Sequence, residues 1–299
     1  MDEHSGTSER FEEHRSHLQA VAYRMLGSLD EADDAVQEAW LRFDRAGETG
    51  IENLGGWLTT VVARVCLDRL RSRKAQREEP LGFHVPDPVV ACEDGGDPEH
   101  QALLADAVGL ALLVVLERLA PAERLAFVLH DLFAVPFEEI APIVERTPAA
   151  ARQLASRARR RVQGTATAPD APPRRQREVV DAFLAASRGG DFEALLTLLD
   201  PDVVLRLDRG RAAAGTAMAS REVRGAQDVI GLGFRFSAEG WLAQPARVNG
   251  DAGIVIRHAE RVFSVIGFTV RRGRIAAIDI LADPARLRNL DLSALDDYV

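Results

Sequence analysis

The spacing of apolar residues changes part-way along the chain, and this change limits the possible folds. Before Gly189-Gly190, apolar residues recur every three or four positions, as between Ala32 and Phe43, which is typical of amphipathic helices. After that point, β-branched residues alternate with polar ones in four runs, and Asn249-Gly250 and Arg272-Gly273 are hairpin-turn signals. The runs cover 203–207, 253–257, 261–270 and 274–281. The chain is therefore predicted to be multidomain, with an all-α part followed by an α+β part.

Two stretches rich in proline divide the chain into three segments. Residues 77–99 contain four prolines and three glycines and are strongly acidic, whereas residues 164–173 are short and rich in Pro, Ala and Thr. Both compositions are typical of linkers. The predicted organisation is a helical domain over 1–77, a linker over 78–98, a second helical domain over 99–163, a linker over 164–174 and an α+β domain over 175–299.

Composition excludes several classes of protein. The 299 residues carry a formal net charge of −9 and are 46% hydrophobic, which is ordinary for a globular protein. Cys66 and Cys92 form no C-x-x-C pair, so neither a thiol redox motif nor a thiolate zinc site is predicted. The longest apolar run, 107–116, is too short to span a bilayer, and the N-terminus lacks a signal-peptide pattern. A cytoplasmic protein without metal or other cofactor is expected.

Positive charge is concentrated in two stretches of this acidic chain, 64–77 and 146–162, which indicates local contact with a polyanion. The second stretch follows a short amphipathic helix and a turn, and Thr147 and Pro148 suit the N-cap and first position of its helix. The residues predicted to face outward on this helix are Arg152, Gln153, Ser156, Arg157 and Arg160. The pattern predicts a helix-turn-helix whose second helix enters the DNA major groove, where Arg and Gln read base edges. The alternative is a helical hairpin with a solvated charged face.

Three runs occur in order along residues 10–163: FEEHRSHLQAVAYRMLGSLDEADDAVQEAWLRF, WLTTVVARVCLDRLRSRK and LAPAERLAFVLHDLFAVPFEEIAPIVERTPAAARQLASRARRRV. In this order and spacing they closely resemble the bacterial extracytoplasmic-function (ECF) sigma factors. The resemblance implies a first domain that binds core RNA polymerase and the promoter −10 element, and a second domain that binds the −35 element. The remainder, with the motifs VRGAQDV and VNGDAG, resembles a SnoaL-like domain of the nuclear-transport-factor-two superfamily, which implies a cone-shaped α+β barrel.

The resemblance to sigma factors implies roles for individual residues of the first domain. The helix around residue 35 matches the one that binds the clamp helices of the polymerase β′ subunit; its candidates are Asp30, Glu31, Asp33, Asp34, Gln37, Glu38 and Trp40. The stretch 53–73 matches the element that opens the −10 region, where a base is pulled from the stack and cations hold the backbone. Its candidates are Asn53, Trp57, Arg64, Arg69, Arg71 and Arg73. The alternatives are a solvated acidic face and, for Trp57, a core aromatic.

The C-terminal domain is predicted to regulate rather than to catalyse. Asp208, Trp241, His258 and Asp279 are candidates for the acid–base chemistry of some SnoaL-like proteins, but no two of them stand at a telling spacing. The stretches 84–89, 208–211 and 283–287 resemble the linker, glycine-rich and tail signatures of sigma factors that carry this domain. The resemblance therefore implies regulatory contacts at His84, Pro86, Asp87, Pro88, Asp208, Asp283, Pro284 and Leu287.

The predicted function is that of an alternative sigma factor whose activity is modulated in cis by its C-terminal domain. Its predicted partners are core RNA polymerase and promoter DNA; a separate anti-sigma factor stays open as a further partner, and no membrane partner is expected. Two other interpretations stay open as well. A helix-turn-helix repressor would leave the acidic helix unexplained, and a SnoaL-like isomerase or cyclase would bind promoters poorly.

Overall fold

The computed structural model describes residues 2–46, 51–76, 84–93, 108–163, 170–210, 219–232, 241–258, 261–293 and 295. The chain forms two compact units. The first comprises Met1–Glu78 and Val115–Gly164, and the second comprises Glu79–Val114 and Thr165–Val299. Parts of the predicted linkers (78–83, 94–98 and 164–169), residues 99–107 of the second predicted helical domain and Arg211 of the stretch 208–211 lie outside the described residues.

Three helices form the N-terminal part of the first unit: α1 (Asp2–Leu26), α2 (Leu29–Ala46) and α3 (Leu54–Gln76). Helix α2 begins directly after Ser28, whose hydroxyl accepts a long 3.5 Å hydrogen bond from the backbone N–H of Glu31, as a capping box predicts. The apolar stripes of α1 and α2 face each other. The ring of Phe11 lies 5.0 Å from Trp40 and 6.4 Å from Phe43.

Helix α4 (Leu110–Glu117) begins in the second unit, and its last three residues belong to the first. The first unit is completed by α5 (Pro121–Phe127), α6 (Phe137–Ile143) and α7 (Pro148–Gln163), with a π-helical turn at Val128–Leu132. The hydroxyl of Thr147 accepts the N–H of Ala150 at 3.2 Å and so caps α7. Helix α6 is only seven residues long and contains Pro142, which agrees with the helix-breaking effect of an interior proline. Glu145, at φ 56°, makes the turn between α6 and α7.

The described residues of the second unit form a seven-stranded sheet in the order β1-β4-β5-β6-β7-β2-β3. The strands are β1 (Val90–Ala91), β2 (Leu199–Asp208), β3 (Arg221–Arg224), β4 (Trp241–Val248), β5 (Asp251–His258), β6 (Arg261–Arg271) and β7 (Arg274–Leu281). Neighbouring strands are antiparallel except β2 and β7. The expected hairpins at Asn249-Gly250 and Arg272-Gly273 are present, and all four turn residues have positive φ.

Helices α8 (Pro173–Gly189), α9 (Phe192–Leu198) and α10 (Ala226–Gly231) contribute to the core of the second unit, and α11 (Pro284–Leu287) follows β7. The rings of Phe183 from α8 and Phe268 from β6 lie 5.8 Å apart at the centre of this core. The expected order, helical domains followed by an α+β domain, is confirmed.

Residues 84–93, which the sequence assigns to a linker, are part of the sheet structure. Val90 pairs with Val248 and extends the sheet by a short edge strand. The N–H of Val89 donates to the side-chain oxygen of Asn249 at 3.1 Å, and the N–H of Asn249 donates to the Val89 carbonyl at 2.8 Å. Glu93 forms an ion pair with Arg177 of α8. This segment is therefore fixed at both ends to the second unit.

Gly253 in β5 occupies a position with no room for a side chain. A Cβ atom there would stand 2.8 Å from the carbonyl oxygen of Ile266 and in collision with Val248. We expect Gly253→Ala to lower the free energy of unfolding by about 1–3 kcal/mol, because the sheet must shift to accept the methyl group.

Thermal unfolding followed by circular dichroism measures this effect. Gly231→Ala is the matched control, since a Cβ at Gly231 meets nothing within 4 Å. Equal unfolding midpoints for the two variants would contradict the close strand packing at Gly253.

Candidate functional site

One face of α2 is acidic and exposed. Its exposed residues are Asp30, Asp33, Asp34 and Gln37, and Glu31, Glu38 and Trp40 lie half-buried at its edges. The opposite stripe is buried and anchors the helix; it consists of Ala32, Ala35, Val36, Ala39 and Phe43. Leu41, 44% exposed, extends the exposed face by one turn. The candidates for binding polymerase thus share one surface of one helix.

A surface pocket of about 370 Å³ lies beside this face, between α1 and α2. It is lined by Arg15, Gln19, Asp33, Gln37 and Trp40. The amide of Gln19 donates to the carboxylate of Asp33 at 2.9 Å, so an exposed candidate is oriented by the neighbouring helix. Sequence reasoning missed Arg15 and Gln19, because nothing in the spacing along α1 indicates which of its polar residues lie next to α2.

Two of the arginines predicted to follow DNA phosphates, Arg69 and Arg73, contact α2. The guanidinium of Arg69 lies 3.6 Å from the carboxylates of both Asp34 and Glu38. Arg73 forms an ion pair with Glu31 and donates to the Leu26 carbonyl at 3.3 Å. The acidic helix and the basic stripe of α3 therefore neutralise each other in part.

The other residues of the 53–73 stretch are placed differently. Arg64 is exposed, and exposed Arg71 lies 3.8 Å from Asp68 and 3.7 Å from Glu145. Asn53 caps α3, since its side-chain oxygen accepts the N–H of Gly56 at 3.0 Å. Trp57 is half-buried with its ring 5.9 Å from Phe43. Asn53 and Trp57 thus have local structural partners.

Helix α7 presents a polar surface and buries a narrow stripe. Ala151, Ala155 and Ala158 are fully buried, which brings the helix close to α5 and α6. The candidates Arg152, Gln153, Ser156, Arg157 and Arg160 are all exposed. The guanidinium of Arg152 lies 5.1 Å from the ring centre of Phe137 in α6, a cation–π distance. All five predicted −35 contacts can therefore be reached from solvent.

The helices around α5 pack against α1 and α3 within the first unit. Arg124 of α5 is 2% exposed; it donates to the Arg24 carbonyl at 3.1 Å and to Glu117 at 2.8 Å. Phe133 lies under the guanidinium of Arg24 at 4.5 Å and edge-on to His17 at 5.1 Å. This contact joins the N-terminal helices to the helix-turn-helix.

In the second unit, Asp208 at the end of β2 is 2% exposed and collects hydrogen bonds from three segments. It accepts the N–H groups of Val85 and Gly210 at 2.9 Å each, and the Ser220 hydroxyl at 3.2 Å. Burial by itself would raise the pKa of Asp208, but hydrogen bonds from His84, Gly210 and Val85 outweigh it and lower the pKa to about 2. The carboxylate is therefore ionised at neutral pH.

Arg286 of α11 completes this arrangement. Its guanidinium donates to Asp208 at 2.8 Å, to Asp87 at 2.7 Å and to the Val85 carbonyl at 2.6 Å. We call Arg286, Asp208, Asp87, Val85 and His84 the Arg286 cluster. It joins the segment 84–93, the end of β2 and the C-terminal tail.

The remaining regulatory candidates support the cluster. Asp283 caps α11 by accepting the N–H of Ala285 at 2.9 Å, and Pro284 takes the first helical position. Leu287 and the two prolines Pro86 and Pro88 are buried. Sequence reasoning missed Arg286, because a single arginine in an arginine-rich chain carries no distinguishing signal.

The candidates for acid–base catalysis have other partners. Asp279 forms a buried 2.9 Å ion pair with Arg206, and the ring of His258 lies 5.1 Å from Trp241. Burial raises the pKa of the Cys66 thiol to about 12, so the thiol is protonated at neutral pH. In the described part of the chain, no cluster of three or more acidic, His or Cys side chains is arranged to hold a metal ion, and none of the helices is long and apolar enough to cross a membrane.

Comparison with known proteins identifies the family to which this architecture belongs. Residues 10–76 match the family Sigma-70 region 2, and residues 109–162 match Sigma-70, region 4. The ECF RNA polymerase sigma factor SigJ of Mycobacterium tuberculosis H37Rv is 42% identical over 287 residues, covering 92% of this chain and 91% of SigJ. The chain belongs to the ECF sigma factors.

Two further comparisons cover almost the whole sigma factor. The Mycobacterium tuberculosis protein named probable ECF RNA polymerase sigma factor SigI is 34% identical, covering 96% of this chain and 97% of SigI. The crystal structure of Mycobacterium tuberculosis SigJ superposes with a TM-score of 0.74 at 39% identity, covering 95% of this chain and 99% of that one. The similarity thus includes the second unit as well as the sigma regions.

The helices of this sigma factor divide between its two sigma regions. Helices α1–α3 lie in region 2, α4–α7 lie in region 4, and the C-terminal part of the chain is an α+β domain. The predicted family, the order of helical and α+β domains, and the function as an alternative sigma factor are confirmed. The protein is an alternative sigma factor that binds core RNA polymerase and promoter DNA and directs transcription initiation.

The depressed pKa of Asp208 makes the stability of this sigma factor depend on pH. Because the pKa of about 2 in the folded protein lies below the ordinary 3.8, the stabilisation is complete above about pH 5 and is lost as the pH falls towards 2. We expect the difference in free energy of unfolding between wild type and Asp208→Asn to shrink by about 2 kcal/mol over that interval.

Urea unfolding of both proteins at a series of pH values measures this difference. The control is Asp202→Asn, which changes an exposed carboxylate in β2. A difference between wild type and Asp208→Asn that does not vary with pH would contradict the assigned hydrogen bonds.

Proposed function

We propose that the exposed face of α2 is the surface by which this sigma factor binds the clamp helices of the polymerase β′ subunit. The observation that carries the proposal is that Asp30, Asp33 and Gln37 remain exposed on a helix anchored by its opposite stripe. A row of carboxylates on a rigid helix suits a basic helical partner.

The pocket between α1 and α2 adds shape to this electrostatic surface. The pocket is lined by the half-buried ring of Trp40 and by the side-chain amides of Gln19 and Gln37, beside Asp33. A long basic side chain of the partner fits such a pocket, with its stem on the indole and its charge near Asp33. In this proposal α1 contributes to specificity and α2 supplies the charge.

We expect the double variant Asp33→Ala/Asp34→Ala to bind core RNA polymerase at least about tenfold more weakly, because two interfacial carboxylates are lost. Fluorescence anisotropy of the labelled full-length protein with purified core polymerase measures the affinity.

The control is Asp44→Ala/Glu52→Ala, which removes the same charge from two exposed positions outside the proposed surface. Equal affinities for the two double variants would mean that binding depends on net charge alone. Wild-type affinity for Asp33→Ala/Asp34→Ala would place the polymerase contact elsewhere.

We propose that α3 contacts the −10 element and α7 the −35 element. For the −10 element, exposed Arg64 and Arg71 are the cations best placed for phosphate, because Arg69 and Arg73 are engaged by α2. Asn53 and Trp57 at the start of α3 stand next to each other and would lie at the pocket for an unstacked base. For the −35 element, the exposed residues of α7 would enter the major groove.

We propose that the C-terminal domain modulates the sigma regions in cis and is not an enzyme. The Arg286 cluster supports this function, because it binds the segment 84–93, which lies between regions 2 and 4 in the chain. Asp208 and Asp279, the carboxylates that a SnoaL-like enzyme would use, are bound to arginines. A separate anti-sigma factor would act in addition to this built-in control, and binding to core polymerase implies a cytoplasmic location.

We expect Arg286→Gln to change transcription at least about threefold while leaving the affinity for core polymerase unchanged. The reason is that removal of the guanidinium leaves Asp208 and Asp87 without their shared cation, so the first residues of the segment, 84–87, are loosened. Multiple-round transcription from a promoter recovered by sequencing DNA fragments bound by the wild-type holoenzyme measures the effect.

Arg288→Gln, an exposed neighbour in the same tail, is the matched control. Transcription equal to wild type for Arg286→Gln would refute modulation through the cluster. A point substitution is preferable to truncation near residue 275, which would remove most of β7, a strand paired on both sides.

A further inference from the structure

Glu123, which the sequence does not single out, lies beneath one edge of α7. It belongs to the first turn of α5, and its side chain is 9% exposed. One carboxylate oxygen accepts Nε of Arg157 at 2.8 Å, and the other accepts a terminal nitrogen of Arg161 at 2.5 Å. A single buried carboxylate thus binds two arginines that stand one helical turn apart on α7.

These arginines keep much of their surface in solvent. Their side chains are 46% and 56% exposed. A guanidinium has five N–H donors in a fixed fork, so the bond from Nε of Arg157 to Glu123 sets the plane of the group and leaves its terminal donors directed elsewhere. The carboxylate therefore orients both cations without covering them.

The other edge of α7 is held in the same way. Arg159 donates to the carboxylate of Asp131 from Nε at 2.8 Å and from a terminal nitrogen at 2.5 Å. Arg152 lies over the ring of Phe137, whose centre is 3.8 Å from that of His130. The polar residues at the centre of the exposed surface are Gln153, Ser156 and Arg160. The helix thus has two edges of oriented arginines with a central row between them.

We propose that Glu123 is a positioning residue for promoter recognition: it holds Arg157 and Arg161 where they contact two backbone phosphates in one register, so that Gln153, Ser156 and Arg160 meet the base edges. The inference rests on the proposed function of α7 as the −35 contact. Phosphate contacts fix the register of a protein on DNA, and base contacts specify the sequence. Glu123 therefore contributes to specificity although it touches no DNA.

A purely structural role predicts different behaviour. An acidic residue in the first turn of α5 also interacts favourably with the helix dipole. If this were the only role of Glu123, its substitution would lower the stability of the protein without changing how DNA is read. The positioning role instead predicts that freed arginines bind any phosphate. Affinity for random DNA then rises while discrimination falls.

The test uses full-length Glu123→Gln assembled with core RNA polymerase. Binding to a short random-sequence duplex is measured over a range of salt concentrations. The slope of log affinity against log salt is expected to steepen by the amount that about one or two additional phosphate contacts produce. In parallel, the holoenzyme selects DNA from a pool with a randomised −35 hexamer. Preference for the selected over the random hexamers is expected to fall roughly tenfold.

Glu138→Gln is the matched control, because it removes one negative charge from an exposed position of α6 in the same domain. If both variants show the same slope and the same hexamer preference, charge alone explains the result and the inference is overturned. Wild-type behaviour of Glu123→Gln overturns it as well. Failure of the wild-type holoenzyme to select any hexamer would instead refute the proposed function of α7.

A second pair of variants covers the case in which Glu123→Gln unfolds. Arg161→Gln is expected to weaken binding to selected and random duplexes by the same factor and to reduce the salt slope by about one, as for a phosphate contact. Gln153→Ala is expected to change the selected hexamer. If Arg161→Gln changes the selected hexamer and leaves the salt slope unchanged, this result contradicts the proposal that the edges of α7 contact phosphates and its central row contacts bases.

Discussion

The guanidinium group of Arg124 is buried in the first unit, and the helices around it supply one backbone carbonyl and one carboxylate to it. Its partners, the Arg24 carbonyl and Glu117, come from α1 and α4. A buried cation without partners costs several kcal/mol, so these elements must stay together for α5 to keep its position. Helix α7 packs on α5 through three alanines. The placement of α7 therefore depends on a charge buried beneath α5.

The same principle organises the second unit. Arg286 and Asp208 belong to the C-terminal tail and the sheet, and each also bonds to residues 84–93. A charge-assisted hydrogen bond is strong when water is excluded, and Asp208 is almost fully buried. The segment that follows region 2 in the chain is thus held by the domain at the opposite end of the chain. In the proposed modulation in cis, this connection is the physical route from the C-terminal domain to the sigma regions.

Many arginines that resemble DNA contacts in the sequence have partners within the protein. Arg69 and Arg73 bind carboxylates of α2, and Arg157 and Arg161 share Glu123. Some of these pairs reduce the charge available to nucleic acid, whereas others orient it. The distinction depends on exposure: Arg73 is 26% exposed, and Arg161 is 56% exposed. A held arginine that remains in solvent can still reach a phosphate.

The sequence by itself determined the family, the fold class and the local elements, because these depend on short-range signals. The capping residue Thr147 and the Asn249-Gly250 turn act within a few positions of themselves, and each stands where the sequence predicts. Only the tertiary structure decided the partners of the charged side chains and the pairing of residues 90–91 with β4. Arg286 and Asp87 are 199 positions apart, and no repeating pattern of residues in the sequence predicts a contact over that separation. The physical reason is that such pairs form where packing brings charges together, and packing is a property of the whole fold.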